Sequence, residues 1–400
     1  MREGWEIKTL NEICEIYNGS TPLRKKKENW DNGVVNWFTI NDIRNQGREI
    51  NFTSQKISKI GFESSSLKLL PKKTVLLCCT ASVGEYALTN IELTTNQQFN
   101  GLVVKNTEQI IPKYLFYFAS TLKQKLLNVS GKTTIDFVSM TKLKKIQIPI
   151  PQTEEQKEIV EILDKAFESI EKAKANIEKN IENAKELFQS KLNQIFSQTG
   201  EGWEETQLGK IYDVRDGTHD SPKYQQEGYP LITSKNLKNS DINYDKVKFI
   251  SKLDFDNINK RSKVDIGDIL FAMIGTIGNP VVVKEQPDFA IKNVALFKVP
   301  IGQSSLFLKY FLDYSTEKMI KESKGSTQRF VGLGYLRKYI INVPSLTKQK
   351  EIVETLDIVD NHIQSLLASY EEELKNLEEL KKSILQKAFS GELTNKNKAA

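Results

Sequence analysis

The sequence predicts an α+β chain: two β-rich units in pseudo-twofold arrangement, separated by two long helices that pair as an antiparallel coiled coil. Three observations carry this. "QKEIVEILD" at 156–164 returns as "QKEIVETLD" at 349–357, eight of nine letters agreeing 193 positions apart. The copy extends well beyond those letters. Gly4-Trp5-Glu6 returns as Gly202-Trp203-Glu204, "SVG" at 82–84 as "TIG" at 276–278, and Phe137-Val138 as Phe330-Val331. Each copy also closes on a stretch of over forty residues free of Pro and Gly, 154–196 and 348–389. Two copies are too few for a solenoid but suit a duplicated molecule.

In chain order, residues 1–150 and 199–343 mix short β-type runs with Gly, Asn and Asp turns. The runs include "VVNWFTINDI", "KTVLLCCTASVG" and "NGLVVKN" in the first copy, then "DILFAMIGTIG", "PVVVK" and "VALFKVP" in the second. One helix is expected within each, near "PKYLFYFASTLKQKLL" and "SLFLKYFLDYSTEKMIKES". The long helices follow, over 151–198 and 344–391, and leave a tail at 392–400. Thr153 and Thr347 are the expected N-caps, with Pro151 and Pro344 just upstream, where a helix has not begun. Apolar residues fall in steps of three and four. They include Ile159, Leu163, Ile170, Ile177, Ala184, Leu192 in one helix and Leu356, Val359, Ile363, Leu366, Tyr370, Leu374, Leu377 in the other. A helix of about 43 residues is about 65 Å long, too long to wrap one small domain. The return of the chain after the second unit makes the pairing antiparallel.

Net charge is +6, unevenly spread: +8 over 1–152, −3 over 153–197, +3 over 198–344 and −3 over 345–390. Basic excess concentrated in two blocks is the footprint of a polyanion binder. Three cysteines, two of them adjacent in an apolar run, point to buried thiols in a reducing compartment. With His219 and His362 the only histidines, no metal site is expected. No secretory h-region and no apolar window of membrane-spanning length is present, so a cytoplasmic protein is expected. Catalytic signals fail on inspection. "SGKTT" at 130–134 has Leu126 where a phosphate-binding loop needs Gly, and "GTIG" at 275–278 reads as a turn between strands. No Gly-rich cofactor loop or nuclease core is visible. The chain is expected to be no enzyme and to hold no cofactor itself. Trp5 and Trp203 are expected to anchor the cores.

Two β-rich units, each closed by "P…EEQKEIVEILD" or "P…TKQKEIVETLD" and a long helix, resemble the specificity subunit of type I restriction–modification enzymes. "DGTHDSPKY" at 216–224, "GKTT" at 131–134, "GSTQ" at 325–328 and "FSGEL" at 389–393 resemble that family's loops and C-terminal close. The likeness covers nearly the whole chain. "STPLRKKK" at 20–27 departs from it, replacing the "THDSPK" loop in the first half, and Lys132 replaces Ser.

The resemblance implies two target-recognition domains, each reading one part of a bipartite site in double-stranded DNA. It also implies two methyltransferase subunits docked on the chain, with restriction/translocase subunits joining through them. AdoMet, ATP and Mg are then expected on those partners. The residue types nominated for DNA contact are cations and polar groups able to meet phosphates or base edges. They are Arg24, Lys25, Lys26, Lys27, Lys132 and Thr133 in the first half, and His219, Lys223, Arg261, Lys263, Gln328 and Arg329 in the second. The repeated helix starts nominate Gln156, Ile159, Leu163, Gln349, Ile352 and Leu356 for partner binding. The rival reading is a coiled-coil scaffold that binds proteins and no nucleic acid; salt-sensitive DNA binding separates the two.

Overall fold

The sequence duplication is a duplication of sheets. The computed structural model describes residues 2–130, 136–198, 202–323 and 329–394. It divides into one unit of Met1–Ile177 with Glu372–Ala400 and a second of Glu178–Glu371.

In the first unit the strands are β1 Glu6–Thr9, β2 Cys14–Asn18, β3 Val35–Phe38, β4 Glu49–Ile50, β5 Gln55–Ile57, β6 Val75–Cys78, β7 Tyr86–Thr89, β8 Thr94–Thr95, β9 Phe99–Val104 and β10 Gln147–Ile150. They form a five-stranded sheet, β2-β9-β6-β7-β4, a three-stranded sheet, β5-β3-β8, and the pair β1-β10. In the second unit the strands are β11 Glu204–Gln207, β12 Asp213–Asp216, β13 Tyr229–Thr233, β14 Leu237–Lys238, β15 Asp241–Ile242, β16 Lys248–Ile250, β17 Ile269–Ala272, β18 Gly278–Val282, β19 Ala290–Lys292, β20 Val294–Lys298 and β21 Ile340–Val343. The orders are β12-β20-β17-β18, β16-β13-β19 and β11-β21, with β14-β15 as a small extra hairpin. Apart from β4, which extends the first unit's larger sheet, and the β14-β15 hairpin of the second, the frames agree, down to a parallel pairing of β3 with β8 and of β13 with β19.

Sequence explains the shared frame. β6 and β17 are buried at all four positions, as continuous apolar runs require when both faces of a strand are covered. Gly19 and Gly217 recur because a backbone passes close by: an added Cβ would lie 2.0 Å from the Asn96 carbonyl oxygen and 2.2 Å from that of Ile291. The run "VVNWFTINDI" is strand only to Phe38. Thr39 then caps the helix Ile40–Gln46, with Asp42 reaching back to the Thr39 N–H at 2.7 Å. Where one helix is expected near 112–129 the first unit forms two, Pro112–Ser120 and Lys123–Val129, and the counterpart in the second is the single Ser305–Glu322. Shorter helices such as Ile40–Gln46, Met140–Lys144, Lys252–Ser262 and Leu333–Lys338 add to the one expected in each unit.

The first long helix is Thr153–Phe196 and the second Leu346–Ser390. The expected cap at Thr347 moves to Ser345, whose hydroxyl faces the Lys348 N–H at 3.4 Å. The Thr153 hydroxyl donates to the Glu108 carbonyl instead of capping. Each β-rich part and the helix segments packed on it form one unit, so the division falls within the helices rather than at their ends. In the first unit the segments run antiparallel: Glu171 pairs with Lys381 at 2.9 Å and Lys174 with Glu378 at 3.9 Å. In the second, Leu192 and Phe196 share a core with Ile352, Val353 and Leu356. Leu366, assigned to the apolar stripe, is 46% exposed; Leu367 is the less exposed of the two, because the stripe advances by four there and not three.

Candidate nucleic-acid interface

In the first unit the loop between β2 and β3 carries Arg24, Lys25, Lys26 and Lys27. Its backbone is tied by two indoles: Trp37 Nε1 donates to the Ser20 carbonyl at 3.1 Å and Trp30 Nε1 to the Leu23 carbonyl at 3.3 Å. The Arg24 guanidinium lies 3.8 Å from the Trp30 ring centre and 4.7 Å from that of Trp37, and donates to Gln55 Oε1 at 2.8 Å. Arg24, nominated for DNA contact with the lysines, is exposed, and its flat cation also ties the loop through these stacking and hydrogen-bond contacts. Lys26 sits 3.4 Å from Glu28, while Lys25 and Lys27 are exposed and make no ion pair among the described residues.

The second unit builds its loop differently. Asp216, at the end of β12, is largely buried and receives Arg261 Nη2 at 2.9 Å, with His219 Nε2 also at 2.9 Å. Arg261 further donates to the Gly217 carbonyl at 2.9 Å, and His219 Nδ1 lies 2.8 Å from Asn293 Oδ1. Asn293 holds a left-handed turn, φ 54°, that places its amide under the imidazole. The structure thus brings His219 and Arg261 together on one carboxylate, and both remain exposed at their outer edges. They border a hollow of about 580 Å³ with Thr218, Asp220, Pro222 and Asp254. Lys223 is exposed further along the same loop, and Lys263 pairs with Asp265 at 3.5 Å. Arg329 is exposed, its carbonyl accepting from the Gly275 N–H at 3.0 Å beside the β17–β18 turn. Lys132, Thr133 and Gln328 lie outside the described residues.

The six residues nominated for partner binding are corrected by burial. Gln156, Ile159, Leu163, Gln349 and Leu356 are 0% exposed and Ile352 is 7% exposed. They repeat because each copy has the same internal joint to close. Gln156 accepts from the Ile111 N–H and donates to the Gln109 and Pro151 carbonyls; Gln349 accepts from the Ser304 N–H and donates to Pro344. Beside each, a tyrosine hydroxyl donates to a helix carboxylate, Tyr117 to Asp164 and Tyr310 to Asp357. Burial and the adjacent carboxylate push both phenols up, so they stay protonated donors.

Trp30, Trp37, Asp216 and Asn293 were not singled out from sequence. Their separations from Arg24, Arg261 and His219 follow no helical or strand period, so only the folded loops reveal them. All three cysteines are buried, and burial pushes Cys14 and Cys79 up to about 12, which leaves them protonated and poor nucleophiles. Trp5 is a half-buried joint as well as a core residue, donating from Nε1 to Glu155 at 3.1 Å. No helix among the described residues is long and apolar enough to cross a membrane.

Like frames carrying unlike polar loops define a duplicated, modular binding protein. The family model described as Type I restriction modification DNA specificity domain matches residues 2–183 and again 200–376. The MjaIX type I restriction enzyme specificity subunit of Methanocaldococcus jannaschii is 26% identical over 417 residues, covering 97% of this chain and 93% of its own length. The EcoprrI specificity subunit of Escherichia coli is 33% identical over 176 residues, 41% of this chain and 43% of that protein. Among solved structures, a chain from work on complex assembly and conformational transition of the type I R-M system aligns with TM-score 0.80 at 21% identity, covering 98% of this chain and 99% of that one. The HsdS subunit of Thermoanaerobacter tengcongensis aligns with TM-score 0.57 at 20% identity, covering 98% of both. The chain belongs to the type I restriction–modification specificity family. It is the DNA-recognising subunit of such an enzyme, not the subunit that methylates or cuts.

Proposed function

We propose that each unit reads one half of a bipartite site in double-stranded DNA. Two methyltransferase subunits dock on the chain, and restriction/translocase subunits join through them. The observation that carries this is the close likeness of the two frames beside the difference of their loops: a lysine loop on an Arg–Trp stack in one, a His–Asp–Arg network in the other. Like frames suit like partners, and unlike loops suit unlike half-sites. AdoMet, ATP and Mg then reside on the partners, in the cytoplasm, and the chain by itself transfers no methyl group. The scaffold reading loses its basis, because the apolar stripes are largely spent inside the units.

The test is to co-express the chain with its methyltransferase, purify the complex and map methylated adenines. Two short motifs at a fixed gap are expected. One continuous motif, or the same methylation pattern without the chain, overturns the reading.

A further inference from the structure

The two units differ in their loops, so an exposed side chain kept in both copies serves something that both copies meet. At the 193-residue offset of the repeat, Lys125 matches Lys318 and Lys145 matches Lys338. All four are exposed, so packing does not account for them. None makes an ion pair among the described residues, in a chain with 51 acidic residues available, so internal electrostatics does not account for them either.

Each pair lines one cleft, at the same place in the fold. In the first unit the cleft is about 740 Å³ and lies between Lys123–Val129 and Met140–Lys144. Its polar lining among the described residues is Lys125, Lys142, Lys145, Asn128, Ser130 and Gln147, with no carboxylate among them. In the second unit the matching cleft, about 700 Å³, lies between Ser305–Glu322 and Leu333–Lys338. It contains two acids, but both are engaged: Glu317 holds Lys321 at 2.7 Å and Glu322 accepts from the Tyr335 hydroxyl at 2.6 Å. The two cations left free are the two that the repeat retains. Each outer lysine also has an aromatic ring alongside, Lys125 at 5.9 Å from the Phe118 ring centre and Lys318 at 5.9 Å from that of Tyr339.

We infer that Lys125 with Lys145, and Lys318 with Lys338, are two equivalent phosphate clamps that grip the DNA backbone of each half-site whatever its bases. The sugar–phosphate backbone is what two different half-sites share, and it is anionic. A lysine ammonium is a point charge, suited to phosphate and poor at the bidentate reading of base edges. The inference rests on the DNA-reading function above and adds residues that the loops do not contain.

The experiment measures binding of the full chain to labelled duplexes, one with the methylated motif and one scrambled, across a salt series. The variants are Lys125→Gln/Lys145→Gln, Lys318→Gln/Lys338→Gln, their combination, and the corresponding Lys→Arg set. The slope of log K against log salt should fall by about 2 for each double variant and about 4 for the combination, equally on both duplexes. The arginine set should keep the parental slope, and the methylated motif should not change. Single variants, each expected to lose about 1, serve if the combination folds poorly. A parental slope in the variants overturns the clamp, as does a loss confined to one duplex, which would mean base reading. Unchanged DNA binding with loss of methyltransferase co-purification reassigns the surface to a protein and also overturns it. A parent without salt-dependent binding would instead sink the DNA-reading function, a distinguishable failure.

Discussion

Arg24 and the three lysines after it are adjacent in sequence and differ in task. The guanidinium is stacked and shapes the loop, and the ammonium groups of Lys25 and Lys27 are exposed without an ion pair among the described residues. Reversing Lys25, Lys26 and Lys27 to Glu should weaken binding to every sequence and lower the salt slope by about 3, whereas an unchanged slope would show that the loop faces away from DNA. Gln156 makes the opposite lesson about a repeated residue. Repetition marks a need that recurs, and a buried joint recurs as faithfully as a docking surface, so sequence alone does not say which. Gln156→Leu keeps the bulk but orphans the Ile111 N–H and the Gln109 and Pro151 carbonyls. It should cost about 2–4 kcal/mol, read as a lowered urea midpoint, with no loss beyond a few tenths if the glutamine is idle.

At the scale of elements, the long helices were legible because over forty residues without Pro or Gly and a 3.6-residue period leave little else to form. Their phase was legible only in part. Leu366 and Leu367 are both leucine, and one step of four in place of three decides which turns inward. Leu163 is fully buried and Leu366 is not. Leu163→Ala should therefore cost about 2–5 kcal/mol, and Leu366→Ala should stay within about 0.5 kcal/mol, measured side by side by chemical denaturation. Equal losses would place Leu366 in a core after all. The short strands were read less well. β4, β8, β14 and β15 have two residues each, too few for an alternation to show, and the capping pair Thr39 and Asp42 turned an apparent strand into a helix.

At the scale of the whole molecule, like frames with unlike loops predict exchangeable parts. Replacing residues 1–150 with the matching part of another family member should change one half of the methylated motif and leave the other intact; a change in both halves would sink the modular reading. The division into units has a further consequence, for how the chain is made. The second unit is one continuous stretch, Glu178–Glu371, but the first needs both ends of the chain. Leu385, Ala388 and Phe389 pack into its core, and Arg2 Nη1 bonds to Glu155, to the Gly391 carbonyl at 2.9 Å and to the Thr394 hydroxyl at 2.6 Å. On a ribosome, the part translated first must wait for the last residues to emerge, while the part translated second can already close. The waiting half exposes Tyr114 and Phe118, which the arriving Phe389 later covers. A chain halted after Glu371 should show a protease-resistant second unit and a digestible first one, and adding a peptide of residues 372–394 should restore resistance to the first. Resistance of the first unit without that peptide would show that it closes alone. Premature termination late in this chain would thus spoil its beginning and spare its middle.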